Sequence, residues 1–163
     1  MRATKMHPDE IARDAVVVRR LLGAQLPHWA ELPIERVPSA GTENALYRLG
    51  DDKVVRMPLR PVDVTQIDKL ERFLPRLAPL LPLEISLPLA RGEPTGDFPH
   101  HWSVYRWLEG TLATRESIGD LGECAATLAR FVAALQRIDA ADGPRPGRHN
   151  FFRGIELAAR DGW

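Results

Sequence analysis

A chain of 163 residues is sized for one domain, and at this length it buries about 70% of its extended surface without needing disulfide or metal staples. Its 22 basic residues balance 22 acidic ones, which argues against a general binder of nucleic acid or membrane surfaces, since such binding needs a positive excess. The single cysteine, Cys124, excludes internal disulfides and a cysteine-based zinc site; with no apolar run near the ~20 residues that span a bilayer and no signal-like stretch at residues 1–10, it leads us to expect a cytoplasmic protein.

The spacing predicts a first helix over residues 8–22. Pro8 suits the first helical position, Asp9 and Glu10 favour the positive end of the dipole, and Gly23 is the expected stop. Ile11, Ala15, Val18 and Leu22 form its expected apolar face. A short strand is expected at residues 34–37, followed by two strands at 45–49 and 53–57. The Gly50-Asp51-Asp52 connection between them is a hairpin signal. Asp63 and Gln66 fit a capping box for a helix carrying Ile67, Leu70, Leu74 and Leu77, with Pro75 expected to end or kink it.

Six prolines between Pro75 and Pro99 forbid one long helix there, and strands are expected at residues 86–91 and 100–107. Beyond Ser117, Leu121, Ala125, Leu128, Val132 and Leu135 recur at four-three spacing behind a second capping box, Asp120 with Glu123. Cys124, Phe131 and Ile138 widen that face, so this helix is expected to be buried on most sides, with Cys124 an inert thiol. A helix, antiparallel strands, one helix across them, more strands and a further helix make an α+β pattern.

Two features have the residue types of phosphate chemistry. The loop Ser39-Ala40-Gly41-Thr42-Glu43-Asn44 places hydroxyls and a glycine ahead of a hairpin, where exposed amides can cradle an anion; an ordinary turn is the alternative. Arg56 sits between Val55 and Met57, so its charge needs either a partner, a carboxylate or a phosphate, or an outward-facing edge position. The aromatic cluster Trp102, Tyr105 and Trp107 reads, by itself, as core packing. The adjacent His100 and His101 would face opposite sides of a strand and make a poor metal pair, and no metal ligand set is expected.

Together, Gly-Thr-Glu-Asn-Ala-Leu-Tyr-Arg-Leu-Gly (41–50), Val-Val-Arg-Met-Pro (54–58), Trp-Ser-Val-Tyr-Arg-Trp-Leu-Glu-Gly (102–110) and His-Asn-Phe-Phe-Arg-Gly (149–154) resemble, in order, segments of the aminoglycoside phosphotransferase family. That family has a protein-kinase-like fold and phosphorylates small-molecule hydroxyls with ATP and magnesium. The resemblance implies a kinase-like N-lobe, an antiparallel sheet with one packed helix, over residues 1–104. A hinge at 105–110 and the first helices of a helical C-lobe at 111–163 would follow. It implies a nucleotide site in which Ser39, Gly41, Thr42 and Asn44 cover the phosphates. Arg56 would take the place of the usual strand lysine, giving a bidentate contact and a charge that cannot be lost. Tyr105 would stand behind the base, while the Arg106 carbonyl and the Leu108 amide would read its edge.

The chain departs from that pattern in two places. Where relatives carry a glutamate to pair with the strand cation, it has Leu70, and Glu71 next to it is the substitute or else a surface residue. The catalytic Asp with an Asn five residues on is also missing, since Ser39 and Arg145 precede Asn44 and Asn150 by five. The implied catalytic Asp and the ligands of Mg2+ lie beyond Trp163, so the chain by itself is expected to be inactive and to self-associate through an exposed C-lobe helix. ATP or GTP and a small-molecule hydroxyl acceptor are the expected partners, with no nucleic acid and no membrane. A non-catalytic nucleotide-binding remnant, a pseudokinase working through partner contacts, is the competing reading, and a small α+β interaction domain is a third.

Overall fold

The computed structural model describes residues 14–38, 41, 43–147, 150 and 152–156. The chain forms two compact units, Met1–Val62 with Ser86–Leu108, and Asp63–Ile85 with Glu109–Trp163.

In the first unit, helix α1 (Ala15–Gln25) is capped by Asp14, whose carboxylate accepts from the Val17 amide at 2.9 Å. The expected start at Pro8 lies outside the described residues. Gly23 does not stop this helix. A helical glycine costs only about 1 kcal/mol, and the ladder continues until Leu26 donates to the Leu22 carbonyl at 2.7 Å. Pro27 is what ends it, because the residue before a proline is pushed out of helical geometry. The buried face is Val17, Val18, Leu21 and Leu22, rotated from the expected line so that Ala15 is exposed.

Five strands form one antiparallel sheet in the order β1-β2-β3-β5-β4: β1 (Ile34–Val37), β2 (Asn44–Leu49), β3 (Lys53–Pro58), β4 (Pro88–Gly92) and β5 (Trp102–Arg106). The β2–β3 hairpin closes at Leu49 and Lys53, as the turn chemistry implies, and Gly50 takes φ +60°, a left-handed conformation that glycine adopts without strain. Strand β4 starts at Pro88 rather than residue 86, with a register shift between Pro88 and Ala90.

Alternation decides the two faces of the sheet. Ala45, Tyr47 and Leu49 of β2, Val55 and Met57 of β3, and Trp102 and Val104 of β5 join Phe98 and the four α1 residues in one core cluster. Each fully buried large apolar side chain contributes about 1.5–3 kcal/mol. The indole of Trp102 lies against its β4 partner Gly92, where an added Cβ would fall 1.8 Å from the ring. Only glycine admits that approach.

In the second unit, α2 (Val64–Leu77) is capped by Asp63, which accepts from the Thr65 amide at 3.0 Å. Pro75 falls in its last turn, and the helix runs two residues past it. Helix α3 (Leu121–Gln136) begins under the expected cap, Asp120 accepting from the Gly122 and Glu123 amides at 2.7 and 3.0 Å. The expectation of burial on most sides fails: none of its residues is buried, and Cys124 is exposed. Leu135, in the last turn of α3, and Ile138 just beyond it line a groove with Leu70, Phe73, Leu74 and Leu77 of α2. A stripe of α3 faces outward, with Leu121 58% and Leu128 57% exposed. Among the described residues, no helix is long and apolar enough to cross a membrane.

Candidate functional site

The sheet face opposite the core opens, within the first unit, onto a cleft of about 590 Å3. That volume is within the ~300–1,000 Å3 typical of small-molecule sites. Because β2 and β3 alternate, the residues between their core positions, Leu46, Val54 and Arg56, line the cleft. Gly41 and Glu43 ahead of β2 and Asn44 at its start border it, and Ser86 with Arg106, Trp107 and Leu108 border it where β5 ends.

Arg56 is half-buried, and its guanidinium lies 4.9 Å from the centre of the Tyr105 ring. Within its own unit, no ion pair joins it to a described carboxylate. The segment leaving β5 is pinned to the hairpin. The Trp107 amide donates to the Asp52 carbonyl at 2.7 Å, and the Arg48 guanidinium stacks 4.7 Å from the Trp107 ring. Arg106 donates its own amide to the Leu87 carbonyl at 2.8 Å, and its carbonyl accepts from the Ser86 hydroxyl at 2.7 Å. Among the described residues, the Leu108 amide has no intramolecular acceptor. At the hairpin tip, the Lys53 ammonium, 2.5 Å from the Asp52 carboxylate, holds that carboxyl below its ordinary range.

The structure brings Gly41, Asn44, Arg56, Arg106 and Leu108 to this one cleft. Tyr105 is buried and stands beneath Arg56 instead of lining the space. Glu71 lies on α2, in the second unit. Ser39 and Thr42 lie outside the described residues. Sequence reasoning missed Ser86, which read as the start of a strand; Trp107, core packing by itself but part of the implied hinge, is half-buried at the cleft. His101 is paired with Glu93 at 3.1 Å, and among the described residues no three His, Cys, Asp or Glu side chains cluster as a metal site.

An antiparallel five-stranded sheet with a strand cation and a strand-exit backbone facing one cleft is the architecture of a protein-kinase-like amino-terminal lobe. The model of the phosphotransferase enzyme family matches residues 34–162, and the chain belongs to that family. Similar solved structures have the same fold. The GDP complex of a mutant aminoglycoside 2'-phosphotransferase-IIIa is 17% identical, with a TM-score of 0.67 over 91% of this chain and 56% of that one. A GDP and kanamycin complex of an aminoglycoside 2"-phosphotransferase is 19% identical, with a TM-score of 0.64 over 76% and 42%. A streptomycin and ATP ternary complex of a further 2"-phosphotransferase is 20% identical, with a TM-score of 0.53 over 82% and 43%. The chain thus spans about half the length of the solved structures it matches. No curated protein matches the sequence.

Proposed function

We propose that this chain holds the purine nucleotide of an ATP- or GTP-dependent phosphotransferase whose acceptor is a hydroxyl of a small molecule. The observation that carries the reading is the convergence on one cleft of the Arg56 guanidinium and the Arg106–Leu108 backbone, with Leu46 and Val54 as apolar walls. In this reading Leu46 and Val54 pack against one face of the base, while the Arg106 carbonyl and Leu108 amide bond its edge. Arg56 grips the phosphates with a fork suited to two oxygens at once. Asn44 and the glycine of the preceding loop, with the hydroxyls of Ser39 and Thr42, cover the phosphates. The nucleotide complexes of similar structures, with GDP, ATP and ADP, support the choice of ligand.

Residues 1–104 would be the nucleotide lobe, 105–110 the hinge and 111–163 the start of the helical lobe. Magnesium belongs to the reaction, but the described residues offer no cluster that fits it, and no step through the metal is assigned to this chain. Neither Asn44 nor Asn150 follows an aspartate by five residues, so the chain alone is proposed to bind nucleotide without turning over. A single exposed cysteine suits the reducing cytoplasm as its compartment.

Thermal melting tests the reading directly. ADP or ATP should raise the melting temperature by mass action, and an unchanged temperature at millimolar nucleotide overturns it. The competing reading, a non-catalytic nucleotide-binding remnant, draws its support from Leu70, which lines the apolar groove where relatives carry the ion-pairing glutamate. Phosphate transfer by the longer protein decides between the two.

A further inference from the structure

The Ser86 hydroxyl donates to the Arg106 carbonyl across a 2.7 Å bond, at the edge of the cleft where the base is placed. A carbonyl cannot donate, so the shared proton belongs to Ser86, whose oxygen keeps its lone pairs. The backbone here is fixed, because the Arg106 amide is bonded to the Leu87 carbonyl and the Trp107 amide to the Asp52 carbonyl. The hydroxyl is not fixed, since it turns about a single bond. Among the described residues, the cleft edge therefore offers a purine one fixed acceptor (the Arg106 carbonyl), one backbone donor (the Leu108 amide) and one rotatable hydroxyl.

The two purines make opposite demands on such an edge. Adenine carries an amino donor at its 6-position beside a ring-nitrogen acceptor, which suits a carbonyl followed by an amide. Guanine carries an oxygen at that 6-position and a ring N–H. Against a fixed carbonyl, its oxygen would be an acceptor facing an acceptor, leaving both desolvated and unpaired. A hydroxyl that swings from the Arg106 carbonyl to the guanine oxygen removes that conflict and frees the carbonyl for the ring N–H. We propose that Ser86 is a specificity-determining residue, the rotatable donor that lets this cleft accept guanine as well as adenine nucleotides. The inference rests on the reading of the cleft as a nucleotide site.

The test uses the chain as it is, with ADP and GDP titrated into the wild type, Ser86→Ala and Ser86→Thr, and binding followed by calorimetry. The wild type should bind both nucleotides within about tenfold of each other. Ser86→Ala should weaken GDP by about tenfold or more, the worth of one lost hydrogen bond, and leave ADP within about threefold. Ser86→Thr, which keeps the hydroxyl, should restore GDP. Equal losses for both nucleotides in Ser86→Ala, no loss for either, or a wild type that binds ADP alone would each overturn the role of Ser86 while leaving the nucleotide site standing. A wild type that binds neither nucleotide removes the site itself, and the inference with it.

Discussion

Arg56 and Tyr105 stack diagonally across β3 and β5, guanidinium to ring centre 4.9 Å, because Val54 pairs with Tyr105 and Arg56 with Ser103. A cation over an aromatic face gains about 0.5–2 kcal/mol depending on solvent exposure, and the planar ring limits the orientations the guanidinium can take. The stack therefore presets a two-pronged donor before any ligand arrives. Arg56→Ala should weaken ADP at least tenfold, from the loss of a charge-assisted contact, and leave adenosine, which has no phosphate, within about twofold. Arg56→Lys should fall between, keeping the charge and losing the fork. Competitive titrations with ADP and adenosine read this out, and an equal loss for both ligands would take Arg56 away from the phosphates.

Gly92→Ala is expected to destabilise the first unit by about 1–3 kcal/mol, the usual penalty for overpacking a dense core. The new methyl would meet the Cε2, Nε1 and Cζ2 atoms of Trp102, a fully buried ring with no room to retreat. Those atoms belong to the part of the indole that a phenyl ring lacks. Trp102→Phe should therefore cost less in the Gly92→Ala background than in the wild type. Urea denaturation of the four proteins measures it, and equal costs in both backgrounds would mean that the close approach is not what constrains Gly92.

The pair at the hairpin tip carries a pH signature. Lys53 holds its ammonium 2.5 Å from the Asp52 carboxylate, and that hydrogen bond is the largest cause depressing the carboxyl below its ordinary value of 3.8. A depressed carboxyl contributes stability that is complete above its unfolded value and disappears as pH falls through the folded one, so the effect is confined to pH below about 4. An NMR titration should place the Asp52 midpoint below 3.8 in the wild type and raise it in Lys53→Met. An unchanged midpoint in the variant would assign the shift to another cause.

What could be read from the sequence was local. The Gly50-Asp51-Asp52 turn between alternating runs announced the β2–β3 hairpin, and Asp63 and Asp120 announced the starts of α2 and α3, because turns and caps are built from neighbouring residues. Gly41, Asn44, Arg56, Arg106 and Leu108, the residues that the family pattern singles out, line one cleft. What failed depended on partners distant in sequence. The core decided which side of α1 to bury, and the apolar spacing of α3 does not say which partners pack on it. The Ser86 hydroxyl meets a carbonyl twenty residues away, and no nearby residue signals that contact.

Helix α3 provides the last test. Leu121, Ala125, Leu128 and Val132 follow the four-three spacing of a coiled-coil seam, and the three large ones are 43–58% exposed. An apolar stripe of that spacing is satisfied by a matching stripe, and a second copy of this chain carries one. The chain is therefore expected to self-associate, with an apparent mass in size-exclusion chromatography that grows with concentration. Leu128→Lys together with Val132→Lys should shift it towards the monomer without lowering the melting temperature, since both side chains already face solvent. A wild type that remains monomeric at millimolar concentration, or a double variant that still associates, would show that the stripe does not mediate assembly.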